Sequence, residues 1–302
     1  MRKKFFTYPY PFICLLIATC TAGCAKQFVF NTEDAPHEIR MYLSLSTLPP
    51  EGLTTRATVA HIPEVENLIR DIWVIQFNAN GVRLREEHYD RNGEAGLYVE
   101  NFEIPLVAAS NSTVCLVVNT GNPNLNWANN FPDFQKQLLD IQASNDLSLR
   151  DRIPMCGYWL GNTTENQSLS ASLCRMMTRI DLVINNQTGQ TLTDAIVTLD
   201  NVPTEAYIYP QTQQDPLPPS AYSESSFTDT LQGNFNDGSS KTLYYYFAPN
   251  ICEDESLATK VTITAKETTW QVILGTDSPT NSIGRDYSLY ANNYYTFTLN
   301  LK

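Results

Sequence analysis

Residues 38–45 read Glu-Ile-Arg-Met-Tyr-Leu-Ser-Leu, and this stretch indicates the fold class. Apolar and polar side chains alternate strictly along it. A repeat of two places the apolar side chains on one face of an extended strand, whereas a helix would distribute them around its axis. We therefore predict a β-strand with one buried face, formed by Ile39, Met41, Leu43 and Leu45.

The end of the chain repeats this pattern. From residue 295 to residue 301, apolar and polar side chains again alternate without interruption. The alternation predicts a second half-buried strand over residues 294–301. Its apolar face consists of Tyr295, Phe297, Leu299 and Leu301.

Between these two stretches, short runs rich in β-branched and aromatic residues recur, with Gly, Pro and Asn between them. Such runs are typical of strands, and Asn80-Gly81 is a hairpin signal between two of them. One helix is predicted at residues 131–141, where a Pro and an Asp suit the first turn. The polar residues 161–170 predict a domain boundary.

Together these signals predict an all-β chain of two tandem antiparallel β-sandwich domains, with one short helix in the first. The first domain is predicted to span residues 57–165, with strand 38–45 packed on it. The second is predicted to span residues 166–302.

The composition limits the function. Of 302 residues, 42% are hydrophobic and 17% are charged, which is typical of a folded chain. A formal net charge of −12 argues against nucleic acid as a partner, because phosphate contacts need Lys and Arg. The chain has three His and none of the hydrolase, phosphate-loop or dinucleotide motifs. We therefore expect no enzyme activity, no metal site and no cofactor.

The N-terminal residues look like a bacterial export signal. Three cations precede the apolar run 12–19, which is too short for a lasting membrane span. Residues 21–24, Thr-Ala-Gly-Cys, look like the processing site of a lipoprotein, with Cys20 as the rival position. Residues 1–23 are thus predicted to be a signal peptide, and lipidated Cys24 would attach the protein to the outer membrane through acyl chains.

Four cysteines follow this site, and an even number in an exported chain permits disulfides. The pairing stays open at this point. Cys115 lies in the apolar run 114–118, which favours a buried, unpaired thiol. The four are Cys115, Cys156, Cys174 and Cys252.

The chain resembles the fimbrillin superfamily of the Bacteroidales, and the similarity covers most of the residues after the signal peptide. The motifs that carry it follow one another in the family's order. They are strand 38–45, Thr54-Thr55-Arg56-Ala57, the run 64–81, Ile153-Pro-Met-Cys-Gly157, Arg175-Met-Met-Thr-Arg-Ile-Asp-Leu182, Tyr244-Tyr-Tyr-Phe-Ala-Pro-Asn250 and Asp286-Tyr-Ser-Leu-Tyr-Ala-Asn-Asn-Tyr-Tyr-Thr-Phe297.

This resemblance implies transthyretin-like, Greek-key sandwiches and a structural role in a cell-surface fimbrium that supports adhesion. An Arg-specific protease would cut after Arg56, leave Ala57 as the new N-terminus, and so remove a propeptide of residues 24–56. The removable strand would be 38–45. A strand from another fimbrial subunit would then take its place in a head-to-tail polymer. Strand 294–301 is the candidate donor.

Two other interpretations stay open. In the first, the protein is a fimbrial anchor or accessory lipoprotein that keeps its first strand uncut. In the second, it is a carbohydrate-binding surface lipoprotein, in which exposed Trp127, Tyr158 and Trp159 stack on sugars. A detachable first strand along a sheet edge would favour the fimbrial subunit, and a coplanar exposed pair of rings would favour the sugar binder.

Overall fold

The computed structural model describes residues 38–47, 64–90, 102–145, 152–209, 217–222, 226–275 and 286–302. Strands dominate this part of the chain, which confirms the all-β prediction. Helix α1 (Phe131–Phe134) is a single turn. The strands, in chain order, are β1 (Glu38–Thr47), β2 (Asp71–Phe77), β3 (Arg83–Asp90), β4 (Phe102–Val107), β5 (Ser112–Val118), β6 (Leu138–Asp140), β7 (Met155–Gly161), β8 (Gln167–Arg175), β9 (Thr178–Asn186), β10 (Leu192–Asp200), β11 (Glu205–Tyr207), β12 (Phe227–Phe235), β13 (Ser240–Phe247), β14 (Lys260–Ala265), β15 (Thr268–Ile273) and β16 (Tyr294–Leu301).

The first sheet has seven strands in the order β3-β2-β5-β7-β8-β1-β4. Its two parts meet where β7 pairs with β8 over two residue pairs, Met155 with Arg175 and Cys156 with Cys174. Apolar side chains from β2 and β5 share one core with those from β1, β4 and β8. The sheet therefore folds over at the β7–β8 junction and encloses its own core, as a sandwich does.

Gly157 lies beside this junction and has no room for a side chain. A Cβ at this position would come within 2.4 Å of the backbone oxygen of Ser172 on β8. The close approach of two backbones accounts for a glycine inside a strand.

Two further sheets enclose a second core. One has the order β12-β10-β14-β15 and the other β13-β9-β16. Buried side chains of β10, β12 and β14 pack with those of β9, β13 and β16 in one cluster. The inward side chains of each strand alternate with outward ones, most clearly in β9 and β14.

A third apolar cluster joins these parts. It combines Trp73 and Phe77 of β2 with Phe134 of α1, with Met177, which precedes β9, and with Tyr246 of β13. The short strands β6 and β11 pair with each other and contribute Leu139 and Ala206 to the same cluster. Side chains from the seven-stranded sheet and from the C-terminal sheets are therefore packed together.

The predicted helix at 131–141 is too long. Asn130 caps α1 by accepting a hydrogen bond from the backbone N–H of Asp133, and the helix ends at Phe134. Residues 138–140 instead form β6, which pairs with β11. The same apolar spacing suits both structures, and the pairing with β11 decides between them.

The antiparallel prediction and the boundary also need correction. β1 runs parallel to β8, and β16 runs parallel to β9. Alternation specifies which face of a strand is buried but says nothing of its direction. β8 extends to Arg175 within the seven-stranded sheet, so the boundary predicted at residues 165 and 166 precedes the last strand of that sheet.

Candidate assembly site

β1 carries the side chains that the sequence predicts to be buried. Its exposed and buried residues alternate along the whole strand. The apolar side chains belong to the core of the seven-stranded sheet, and burying four of them contributes about 6–12 kcal/mol. They are Ile39, Met41, Leu43 and Leu45, which are 3%, 0%, 0% and 4% exposed.

β1 is hydrogen-bonded on both flanks, so it is not the edge strand that would favour the fimbrial subunit. Residues 38–43 pair antiparallel with β4, and residues 41–47 pair parallel with β8. The edge strand is β4, whose described ladder partner is β1. Without β1, a groove would open between β8 and β4, with the apolar side chains of β2 and β5 as its floor.

The outward face of β1 adds little to this attachment. Arg40 pairs with Glu103 of β4 at 2.9 Å, but the two side chains are 66% and 44% exposed. Glu38 likewise accepts from Arg85 of β3 at 3.0 Å at an exposed position. Exposed ion pairs stabilise by about 1 kcal/mol or less. The inward side chains and the two ladders therefore hold β1 in place.

The end of β1 contacts the turn that resumes the described chain. Thr47 donates to the side-chain oxygen of Asn67 at 3.1 Å, within the 3₁₀ turn Glu64–Asn67. Arg175, at the end of β8, donates to the same oxygen and also to Asn292 at 3.0 Å. Asn67 thus links β1 to β8 and to the residues that precede β16.

A buried ionic cluster fixes the same turn. The carboxylate of Glu66 is fully buried and accepts from Arg179 of β9 at 2.9 Å and from the hydroxyl of Tyr246 at 2.8 Å. The hydroxyl of Tyr294 on β16 donates to its other oxygen. Arg179 also binds Asp181 at 2.7 Å. The turn that follows residue 63 is therefore held by three strands of the C-terminal sheets.

The surroundings of Arg179 keep its guanidinium charged. Burial alone would lower the pKa of Arg179, but the hydrogen bond to Asp181 and the charges around it hold that pKa above its ordinary value. Burial raises the pKa of Tyr294, and its hydrogen bond to Glu66 acts in the same direction. Sequence reasoning missed this cluster, because its members are distant in the chain and each is an ordinary polar residue by itself.

The candidate donor strand is part of its own sheet. β16 pairs with β9 along its whole length, and Tyr295 and Leu301 are buried in the second core. Phe297 and Leu299 pack against that core but stay partly exposed. Donation of β16 to another subunit would first require the ladder with β9 to break.

Three of the predicted site residues lie outside the described residues. They are Cys24, with its predicted lipid, and the predicted cleavage pair Arg56 and Ala57. The described residues begin at Glu38, and no residue between Thr47 and Glu64 is among them. The roles of these three positions therefore remain predictions.

The rings proposed to bind sugar do not form an exposed platform. Trp127 is 5% exposed and belongs to the third apolar cluster, and Trp159 packs against the core of the seven-stranded sheet. Tyr158 is 38% exposed, but its ring stacks on that of Tyr209 at 5.1 Å. The burial of Trp127 therefore argues against the sugar-binding interpretation, because the ring fills a core.

No disulfide joins any two of the four described cysteines, and the buried Cys115 agrees with its prediction. In residues 38–302, as far as they are described, no group of three or more His, Cys, Asp or Glu could hold a metal ion. Within the same ranges, no helix is long and apolar enough to cross a membrane.

The fold is that of fimbrial and cell adhesion proteins of the Bacteroidales, which confirms the resemblance at the level of structure. A putative cell adhesion protein from Parabacteroides distasonis matches with a TM-score of 0.61 and 17% identity, over 88% of each chain. The tip fimbrial protein Mfa3 from Porphyromonas gingivalis, with a C-terminal truncation, matches with a TM-score of 0.57 and 12% identity, over 88% of this chain and 96% of that one.

A fimbrilin from Porphyromonas gingivalis matches with a TM-score of 0.53 and 13% identity, over 87% of this chain and 90% of that one. No protein-family model matches the sequence, and no curated protein matches it. The likeness therefore lies in the fold, at identities too low to transfer individual residue roles.

Proposed function

We propose that this protein is a structural subunit of a cell-surface fimbrium, exported as a lipoprotein through Cys24 and matured by cleavage after Arg56. Its fold neighbours include fimbrial proteins, which supports assembly with other fimbrial subunits. Before cleavage the acyl chains would hold it at the outer membrane. After cleavage it would be part of the fimbrium and support adhesion.

β1 does not lie along a sheet edge, so the proposal is carried by what removal of β1 would leave behind. Its inward side chains are almost fully buried, and its backbone is paired with both β4 and β8. Loss of β1 would leave backbone N–H and C=O groups of both neighbours without partners and would expose an apolar floor. Such a groove is costly in water, so a strand from another subunit has a strong reason to enter it.

A replacement strand must meet the same requirements as β1. It needs apolar side chains at every second position, and the pockets available are those now filled by residues 39–45. The matching alternation in β16, with Phe297 and Leu299 only partly buried, fits this requirement. The burial available to a donor is therefore similar to that of β1, about 1.5–3 kcal/mol for each side chain.

The test uses the unlipidated chain of residues 25–302 and an Arg-specific protease. We expect a product that begins at Ala57 and oligomers that persist on a gel without boiling. Arg56→Ala should remove both the product and the oligomers. Arg40→Ala is the matched control. Its exposed pair with Glu103 is dispensable, and its backbone lies within the ladder with β4, so cutting after Arg56 and assembly should continue. Oligomers formed by the Arg56→Ala chain would contradict the maturation step.

The second candidate is a fimbrial anchor or accessory lipoprotein that keeps β1. The pairing of β1 on both flanks favours this role as well, because a permanent strand would be built in the same way. The protease experiment separates the two candidates. An intact monomer after prolonged treatment supports the anchor, and a truncated, assembling product supports the subunit.

A further inference from the structure

The edge strands of the described sheets differ in their content of charged residues and Pro. Natural sheets protect their edges with charged residues or Pro, because an unprotected edge pairs with other chains. β3 is highly charged, β4 contains Glu103 and Pro105, β12 contains Asp229, and β13 contains Lys241. β15 (Thr-Thr-Trp-Gln-Val-Ile) and β16 (Tyr-Tyr-Thr-Phe-Thr-Leu-Asn-Leu) contain neither a charge nor a Pro.

The two unprotected edges lie on the same side of the C-terminal sheets. The indole N–H of Trp270 on β15 donates to the backbone oxygen of Lys302, directly after β16, at 3.0 Å. The opposite side is closed by β12 and β13, where the Tyr245 hydroxyl donates to Asp229 at 3.2 Å and the Tyr245 ring meets Phe227. Side-chain contacts therefore join β12 and β13 at one side of this sandwich, and the other side consists of the two uncharged strands β15 and β16.

The side chains at the neutral side are incompletely covered. Trp270 and Val272 of β15 and Phe297 and Leu299 of β16 point toward the second core but are only partly buried. Ile273 is 38% exposed. Within the described ranges, β15 pairs with β14 and β16 pairs with β9, so each strand has one ladder flank left.

We propose that this side binds a second copy of the same chain, with the two β16 strands antiparallel about a twofold axis at Thr298. Antiparallel pairing places like faces together when the paired residue numbers share parity. An axis at Thr298 pairs Phe297 with Leu299 and Tyr295 with Leu301 on the inner face. On the outer face it pairs Thr296 with Asn300 and Thr298 with itself.

Charge permits a second copy to bind at this side, and the twofold register provides the match. The chain carries a formal net charge of −12, so two copies repel one another over most of their surfaces. The β15–β16 side carries no acidic residue within its strands, and no pair in the twofold register sets like charges opposite each other. A twofold contact is self-complementary, so one neutral edge is sufficient for both copies.

Both edges must take part for a stable interface. A specific interface buries at least about 1,000 Å², and β16 alone, with eight residues, is a narrow contact. Because β15 lies beside β16, the same axis brings the two β15 strands toward each other. This contact is closed and lateral, unlike the head-to-tail contact of the proposed fimbrium. It goes beyond the proposed function and does not depend on cleavage after Arg56.

Cross-linking tests the register in the uncut, unlipidated chain. Thr298 is exposed, and two copies of it at the axis would have Cβ atoms about 4.5–5.5 Å apart. Thr298→Cys should therefore form a disulfide-linked dimer under mild oxidation. Thr296→Cys is the control, since its two copies would lie about 13 Å apart, four residues along the strand. The wild-type chain reports any background from the native thiols.

Sedimentation of the same chain tests the affinity. Thr298→Lys would place like charges opposite each other at the axis and should weaken dimerisation at least about tenfold. Thr230→Lys adds the same charge at an exposed position of the protected edge β12 and should leave the dimer unchanged. A wild-type chain that stays monomeric at every concentration overturns the proposal, as do equal cross-linking of the two Cys variants and equal sedimentation of the two Lys variants.

Discussion

The role of β1 in the core leads to a prediction that does not depend on processing. Leu43 is fully buried between β4 and β8, and its neighbour Tyr42 points outward with 39% of its surface exposed. Leu43→Ala would remove atoms from a packed core and leave a cavity, at a cost of about 2–5 kcal/mol in the free energy of unfolding. Tyr42→Ala removes a larger side chain but should cost no more than about 1 kcal/mol, because it leaves no cavity.

Both variants can be measured by urea unfolding, followed through the fluorescence of the four Trp. For a chain of this size, the loss in Leu43→Ala corresponds to a decrease in Tm of about 4–20 °C. The slope of the unfolding free energy against urea should stay the same in both variants. If the two substitutions have equal and small effects, β1 is not a core strand and the argument for a groove beneath it fails.

Two further predictions concern the described residues. Cys156 and Cys174 are opposite each other at the junction of β7 and β8, so we expect an oxidising buffer to join them in a disulfide. This bond would raise the free energy of unfolding by about 3 kcal/mol. Peptide mapping without reductant should find this pair and not one with Cys115 or Cys252. Burial raises the pKa of Tyr245 and Tyr295 above the ordinary value, whereas unfolded tyrosines ionise near pH 10. Above about pH 10 the folded state therefore holds more protons than the unfolded state, and the stability should decrease as the pH rises further. A Tm that stays constant to pH 12 would contradict this.

Much of the fold could be predicted from local sequence. The alternation in residues 38–45 indicated both a strand and the four side chains that it buries, since a repeat of two is a property of the extended backbone itself. The Asn80-Gly81 hairpin between β2 and β3 followed in the same way, because glycine at positive φ suits a tight turn. The buried Cys115 followed from its apolar neighbours on both sides.

Features that depend on distant partners could not be predicted in this way. Residues 138–140 have the apolar spacing of a helix, yet pairing with β11 makes them a strand. The sequence left open whether Trp127 is an exposed sugar-binding ring or a core ring, and its packing against Phe134 and Trp73 places it in a core. In both cases the deciding contact comes from another element of the fold.

The sequence by itself determined that the chain is all-β, that β1 buries one apolar face, and that β16 can do the same, because side-chain alternation is a local property of each strand. Only the tertiary structure decided that β1 lies inside a sheet beside a parallel β8, that Glu66 meets Arg179 in a buried cluster, and that two uncharged strands share one side of the C-terminal sheets. Strand order and direction result from the combined burial of many strands, and no single stretch of sequence encodes them.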